Sequence, residues 1–289
     1  MVVTRPMILL CNLEELIIRT MKLFGINITK QIFLKFLLIL FAALITYFWL
    51  DFAPSGLLGK MDAVGYAVCH RIDERSFHLG ERALPLCARC SGMQLGALLG
   101  LIYQSLWGRR GKFPPLKILI ALGVLALFFV VDGVNSYLNF VPFITSVYPS
   151  QNWLRLVSGT GLGLGMAAVI YPIFNQTLWK DWIDEPAIAG WKQFSGLFGL
   201  AILLDLSILS ENPLVLYPLA ILSGLAVLVV LGICYSLLTV MIIKKDNQYL
   251  SWRSAWVPLL AGLVVAITQT FVIDLVRFAF TGTWGGFNL

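Results

Sequence analysis

Three of the five cysteines and both histidines of this 289-residue chain lie between positions 69 and 90. They read Cys69-His70-Arg71, then His78, then Cys87-Ala88-Arg89-Cys90. A C-x-x-C pair sets two sulfurs close enough to share a tetrahedral metal or to close a disulfide. Cys69 with His70 or His78 can complete four ligands, and zinc is the metal such an S/N set suits best. The spacing is not that of a zinc finger. Three chemistries therefore stay open: a closed structural Cys3His metal site, a metal site with one position open to water or substrate, and a redox dithiol at Cys87 and Cys90. A helix N-terminus and Arg89 both favour thiolate in the dithiol, and an extracytoplasmic location favours its oxidation. Cys11 and Cys234 stand apart and read as small buried hydrophobes.

A second set of polar residues sits where polarity is costly. Asp132 lies in Val-Val-Asp-Gly-Val-Asn135, Asp205 in Leu-Leu-Asp-Leu-Ser, and Asp274 in Val-Ile-Asp-Leu-Val-Arg277, while Arg155 opens an apolar run behind Asn152. A charge at the centre of a bilayer costs about 2.5–3.5 kcal/mol on insertion scales, so such residues pair or line a cavity. Paired, they would be Asp132 or Asp205 with Arg155, and Asp274 with Arg277. Lining a cavity, Asp132 or Asp205 would accept a proton beside Arg155, and Arg75, Asn135, Asn152, Asp274 and Arg277 would contact the substrate. Arginines at such a mouth suit an anionic lipid headgroup or an isoprenoid phosphate, and a bound metal would activate water or polarise an ester. The alternatives are a membrane thiol–disulfide oxidoreductase and an ion- or proton-coupled transporter that uses the buried aspartates.

The elements that must position these groups are set by composition. Apolar residues make up 59% of the chain and charged residues 12%, against about 25% in a soluble domain, so lipid must solvate much of the surface. Seven apolar segments, near 32–52, 88–107, 116–138, 153–173, 193–210, 213–243 and 255–280, each approach the length that crosses ~30 Å of hydrocarbon. The expected fold is an all-α polytopic transmembrane bundle. Residues 1–31 form a charged interfacial segment, 32–175 a membrane domain carrying the Cys/His loop at 53–91, and 176–289 a further three-helix region. The net charge of +6 lies in short loops and marks topology rather than nucleic-acid binding. Lys and Arg gather in the N-terminus and in the 108–115, 174–192 and 244–254 loops, which places the N-terminus in the cytoplasm and the Cys/His loop and C-terminus outside. The arginines of the 53–87 loop alternate with Asp73, Glu74 and Glu81, which predicts internal charge pairing. Alternation then brings Asp132, Arg155, Asp205, Asp274 and the start of the Cys87 helix to one membrane face, roughly 10–15 Å deep. Gly92, Gly96 and Gly100, with Gly159, Gly161, Gly163 and Gly165, read as small-residue seams for close helix contact.

The string Cys69-His70-Arg71, Glu74-Arg75-Ser76-Phe77 and Leu84-Pro85-Leu86-Cys87-Ala88-Arg89-Cys90-Ser91-Gly92 resembles the signature of the DUF2085 family of prokaryotic integral membrane proteins. The resemblance continues through Asp132-Gly133 and Asn152-x-x-Arg155-Leu156 and covers roughly residues 60–170. It implies a plasma-membrane protein and no particular reaction.

Overall fold

The computed structural model describes residues 30–138 and 146–286. Cys11 and nearly all of the expected interfacial segment fall outside them. Eight α-helices follow in order: α1 (Lys30–Phe52), α2 (Leu57–Val68), α3 (Ala88–Ser105), α4 (Leu116–Leu138), α5 (Asn152–Leu178), α6 (Trp191–Leu209), α7 (Pro213–Ile242) and α8 (Trp252–Thr281). Four short strands pair two by two: β1 (His78–Leu79) with β2 (Arg82–Ala83), and β3 (Arg110–Lys112) with β4 (Ile183–Pro186). The chain is an all-α membrane bundle.

Six of these helices are long and apolar enough to cross a membrane, one fewer than the sequence suggests. The exception is α3, whose 18 residues include Arg89, Gln94 and Gln104. Its polarity is tolerated because protein rather than lipid surrounds it: most of its residues are buried, Gln94 and Gln104 among them. An unforeseen helix, α2, occupies part of the expected 53–87 loop, and its 12 residues are too short to span.

Helix ends follow local chemistry. The α6–α7 hairpin turns at Asn212, whose Oδ1 accepts the Leu214 N–H at 3.0 Å, with Pro213 opening α7. A reciprocal Ser251/Ser254 capping box starts α8, and Gly282, at φ 64°, ends it in the left-handed conformation that glycine adopts at no steric cost.

The glycine seams set the arrangement of the bundle's centre. A Cβ on Gly92 would lie 2.3 Å from the Leu156 carbonyl oxygen, and one on Gly96 2.7 Å from that of Thr160. From the other side, a Cβ on Gly159 would lie 2.2 Å from the Arg89 oxygen, and one on Gly163 2.2 Å from that of Met93. Helices α3 and α5 therefore run parallel, backbone against backbone, in a register that only small residues permit. Gly161 instead faces Leu125 of α4, and Gly165 faces open space. Parallel packing puts the N-termini of α3 and α5 side by side, and the C-terminal half of α4 joins them.

At the opposite end the basic loops are tied together. Arg109 pairs with Asp181, Arg110 with Glu185 at 3.1 Å, and Lys180 N–H reaches the Tyr249 oxygen at 2.9 Å. The loops that the Lys/Arg distribution assigns to one side do meet at one end.

Candidate metal centre

Cys69 ends α2, Cys87 is the N-cap of α3, and Cys90 stands one turn further on. The three sulfurs all lie within 4.8 Å of one another. The end of α2 is fixed by Arg277, whose guanidinium donates to the carbonyls of Tyr66, Cys69 (2.8 Å) and His70 (3.5 Å) and lies 3.9 Å from the centre of the Tyr66 ring. These are the acceptors a helix C-terminus leaves unsatisfied, so Arg277 positions Cys69 from α8. The start of α3 is brought up by Gly65, where a Cβ would lie 1.9 Å from the Pro85 oxygen.

The sulfurs have the surroundings of a thiolate site. The N–H groups of Cys87 and Arg71 point at Cys69 Sγ, at 3.4 and 3.5 Å. Hydrogen bonds from the Cys87 and Cys90 thiols, with those N–H groups, hold Cys69 well below the ordinary thiol range despite its burial. Cys87, as donor to Cys69 and buried as well, is pushed up to about 12. Cys69 and Cys87 pack in an apolar cluster with Trp49, Ala63, Leu86, Val227 and Ile267, a shell of the kind that limits water access.

The histidines do not join the sulfurs; neither ring nitrogen falls within that group among the described residues. His70 Nδ1 accepts the Ile72 N–H at 3.2 Å, and burial lowers the imidazole pKa against the raising influence of Cys69. His78 lies outward on β1, with Nε2 3.1 Å from Asp73 Oδ1. The loop's main charge clamp also differs from expectation: Arg71 (2.9 Å) and Arg82 close on Asp62, supplied by α2.

The expected partner of Asp132 is corrected likewise. Asp132, fully buried at 0% exposure, pairs with Arg89 and not with Arg155. It also accepts from Tyr148 and from Ser158, both at 3.3 Å. Arg89 reaches it because α3 is pressed onto α5 beside α4, and because Gly133 leaves the α4 surface open, with Arg89 Nη1 only 3.7 Å from where a Cβ would stand. Arg155 turns back to Asn152 Oδ1 at 2.9 Å. Asn152 in turn donates to the carbonyls of Glu74 and Ser76 and ties down the 3-10 turn (Asp73–Arg75), and Arg75 reaches the Ser136 oxygen at 3.5 Å. Asn135 clamps the 146–148 backbone through Val147 N–H at 2.8 Å and the Tyr148 oxygen at 2.9 Å.

Asp205 and Asp274 lie apart from this group. Asp205 accepts from Thr160 Oγ1 at 2.6 Å and lines a small apolar cavity between α5 and α6. Asp274 accepts from Trp49 Nε1 at 3.1 Å, across to α1. Sequence reasoning misses Arg89 and Asp62 as ion-pair partners. The one available signal for Arg89 was its place inside C-A-R-C, as the second residue of α3.

A family model described as predicted membrane protein (DUF2085) matches residues 69–169. That stretch includes all three clustered cysteines, Arg75, Arg89, Asp132 and Arg155, and excludes Asp205, Asp274 and Arg277. An uncharacterized protein of Methanocaldococcus jannaschii is 27% identical over 158 residues, covering 50% of this chain and 96% of that relative. An uncharacterized protein of Methanothermobacter thermautotrophicus is 30% identical over 102 residues, covering 35% of this chain and 83% of that relative. No solved structure matches the chain.

Proposed function

The chain belongs to the DUF2085 family of predicted membrane proteins, and we propose that it uses Cys69, Cys87 and Cys90 as three thiolate ligands of a zinc ion at one end of its helix bundle. The observation that carries this reading is the convergence of three sulfurs, from two helix ends, within 4.8 Å. Soft thiolates in a tetrahedral arrangement select zinc over the hard divalent ions. With no histidine or carboxylate in the sulfur group among the described residues, the fourth position there is left to water or to a ligand, which is the arrangement of a working metal rather than a closed structural one.

The ligand comes from the bilayer or its surface, since the site sits where α3 and α5 begin. By the Lys/Arg distribution this is the extracytoplasmic end. Asp132 serves Arg89 rather than acting as a free base, because its oxygens are already engaged by Arg89, Tyr148 and Ser158. Transport through the aspartates is supported less well: Asp205 and Asp274 contact different helices, α5 and α1.

Metal analysis of protein purified under reducing conditions without chelator tests the reading. About one zinc per chain is expected, and His78→Ala should leave that content unchanged because His78 pairs with Asp73 on the outer surface. Metal-free protein with a Cys87–Cys90 disulfide would replace the metal reading by the redox one.

A further inference from the structure

We infer that Arg75, Arg89 and Arg155 form a receptor for a phosphate group beside the proposed metal position. The inference rests on that reading for the metal and names the class of ligand that meets it.

The three guanidiniums come from three separate elements and converge. Arg89, on α3, donates to Ser136 Oγ at 3.0 Å, and Arg75, on the 3-10 turn, reaches the backbone oxygen of the same Ser136 at 3.5 Å. Arg155, in the first turn of α5, is held by Asn152, whose amide also grips the carbonyls on either side of Arg75. One turn along, Ser158 touches Asp132, the partner of Arg89. Arg89 itself stands between Cys87 and Cys90 at the start of α3, which ties the cluster to the thiolates.

Asp132 pairs with Arg89 and also acts on Arg155, and Glu74, a carboxylate acting on Arg75, is exposed. Arg155 is only 6% exposed, and its Nε is a buried donor without an acceptor among the described residues. A desolvated guanidinium with an unmet donor has a standing requirement for an anion.

The backbone adds to this. Because α3 and α5 run parallel, their N-termini present unsatisfied N–H groups and positive dipole ends together, and neither Cys87 nor Gln151 caps its helix with a side chain. Three forked donors and two helix ends offer more hydrogen bonds than a carboxylate can accept, whereas a tetrahedral phosphate can take them.

The test uses the full chain in phosphatidylcholine nanodiscs. Two probes are titrated: inorganic phosphate in solution, and phosphatidic acid doped into the disc and counted by native mass spectrometry. Saturable binding of one phosphate-bearing probe per chain is expected, weakened at least about tenfold by Arg155→Met, with Arg155→Lys retaining more than Arg155→Met. Arg75→Gln, on a half-exposed turn and so tolerant of change, should weaken it likewise. Binding of both probes identifies the phosphate group as sufficient; binding of phosphatidic acid alone identifies a lipid source. No saturable binding of either probe, or binding unchanged by both Arg155→Met and Arg75→Gln, overturns the inference. Zinc content of the same samples is scored separately. Phosphate bound without zinc removes the metal and leaves the receptor standing, and zinc without phosphate removes the receptor alone.

Discussion

Cys87→Ser is expected to lower zinc affinity by at least about a hundredfold and to destabilise the end of the bundle where α3 begins, because metal binding and folding of the ligand segment share one free energy. Cys87 is both ligand and N-cap of α3, and its N–H points at Cys69 Sγ. Serine keeps the backbone contact and preserves N-cap capacity, so a pure capping role predicts little change in melting temperature. A zinc-site role predicts loss of metal with a clear fall. Cys234→Ser is the matched control: that thiol lies on α7, outside the sulfur cluster. Equal zinc content in wild type and Cys87→Ser would remove Cys87 from the ligand set.

Asp132→Asn should cost about 3–5 kcal/mol, and adding Arg89→Gln should return much of it. The single change leaves Arg89 charged, half-buried and deprived of its carboxylate, while its remaining acceptors, the Asp132 carbonyl (3.1 Å) and Ser136 Oγ (3.0 Å), are neutral. The double change removes both charges at nearly constant shape. Asp132→Asn with Arg155→Gln, the pair suggested by sequence alone, should show no such recovery, since Arg155 turns to Asn152. Thermal unfolding in one detergent, measured for Asp132→Asn and the two double variants, distinguishes the pairings. Recovery with Arg155 instead of Arg89 would contradict the geometry described above.

That contrast shows what a sequence of this kind reveals. The bundle, six of its seven expected crossing segments and the common end at which α3 and α5 begin follow from hydropathy and alternation, which depend only on distance along the chain. The seam between Gly92, Gly96, Gly159 and Gly163 was legible for the same reason: spacing at one helical face. Partner choice was not. Whether Arg89 or Arg155 meets Asp132 depends on how α3, α4 and α5 are rotated about their axes, and that rotation is fixed by backbone contacts such as Gly159 on Arg89 and by the space left at Gly133. Asp62 was missed because α2 is short and its charge pattern gives no sign of folding back onto Arg71 and Arg82. The histidines attracted attention by proximity in sequence, yet His78 is carried outward by the β1–β2 turn at Gly80, a position at φ 67° that glycine adopts without strain.

X-ray absorption at the zinc edge, on wild-type protein loaded with one equivalent, reads the ligand set of the proposed site itself. Three sulfur neighbours at about 2.3 Å and one lighter neighbour at about 2.0 Å are predicted. A shell without sulfur, or one holding fewer than three, would contradict it.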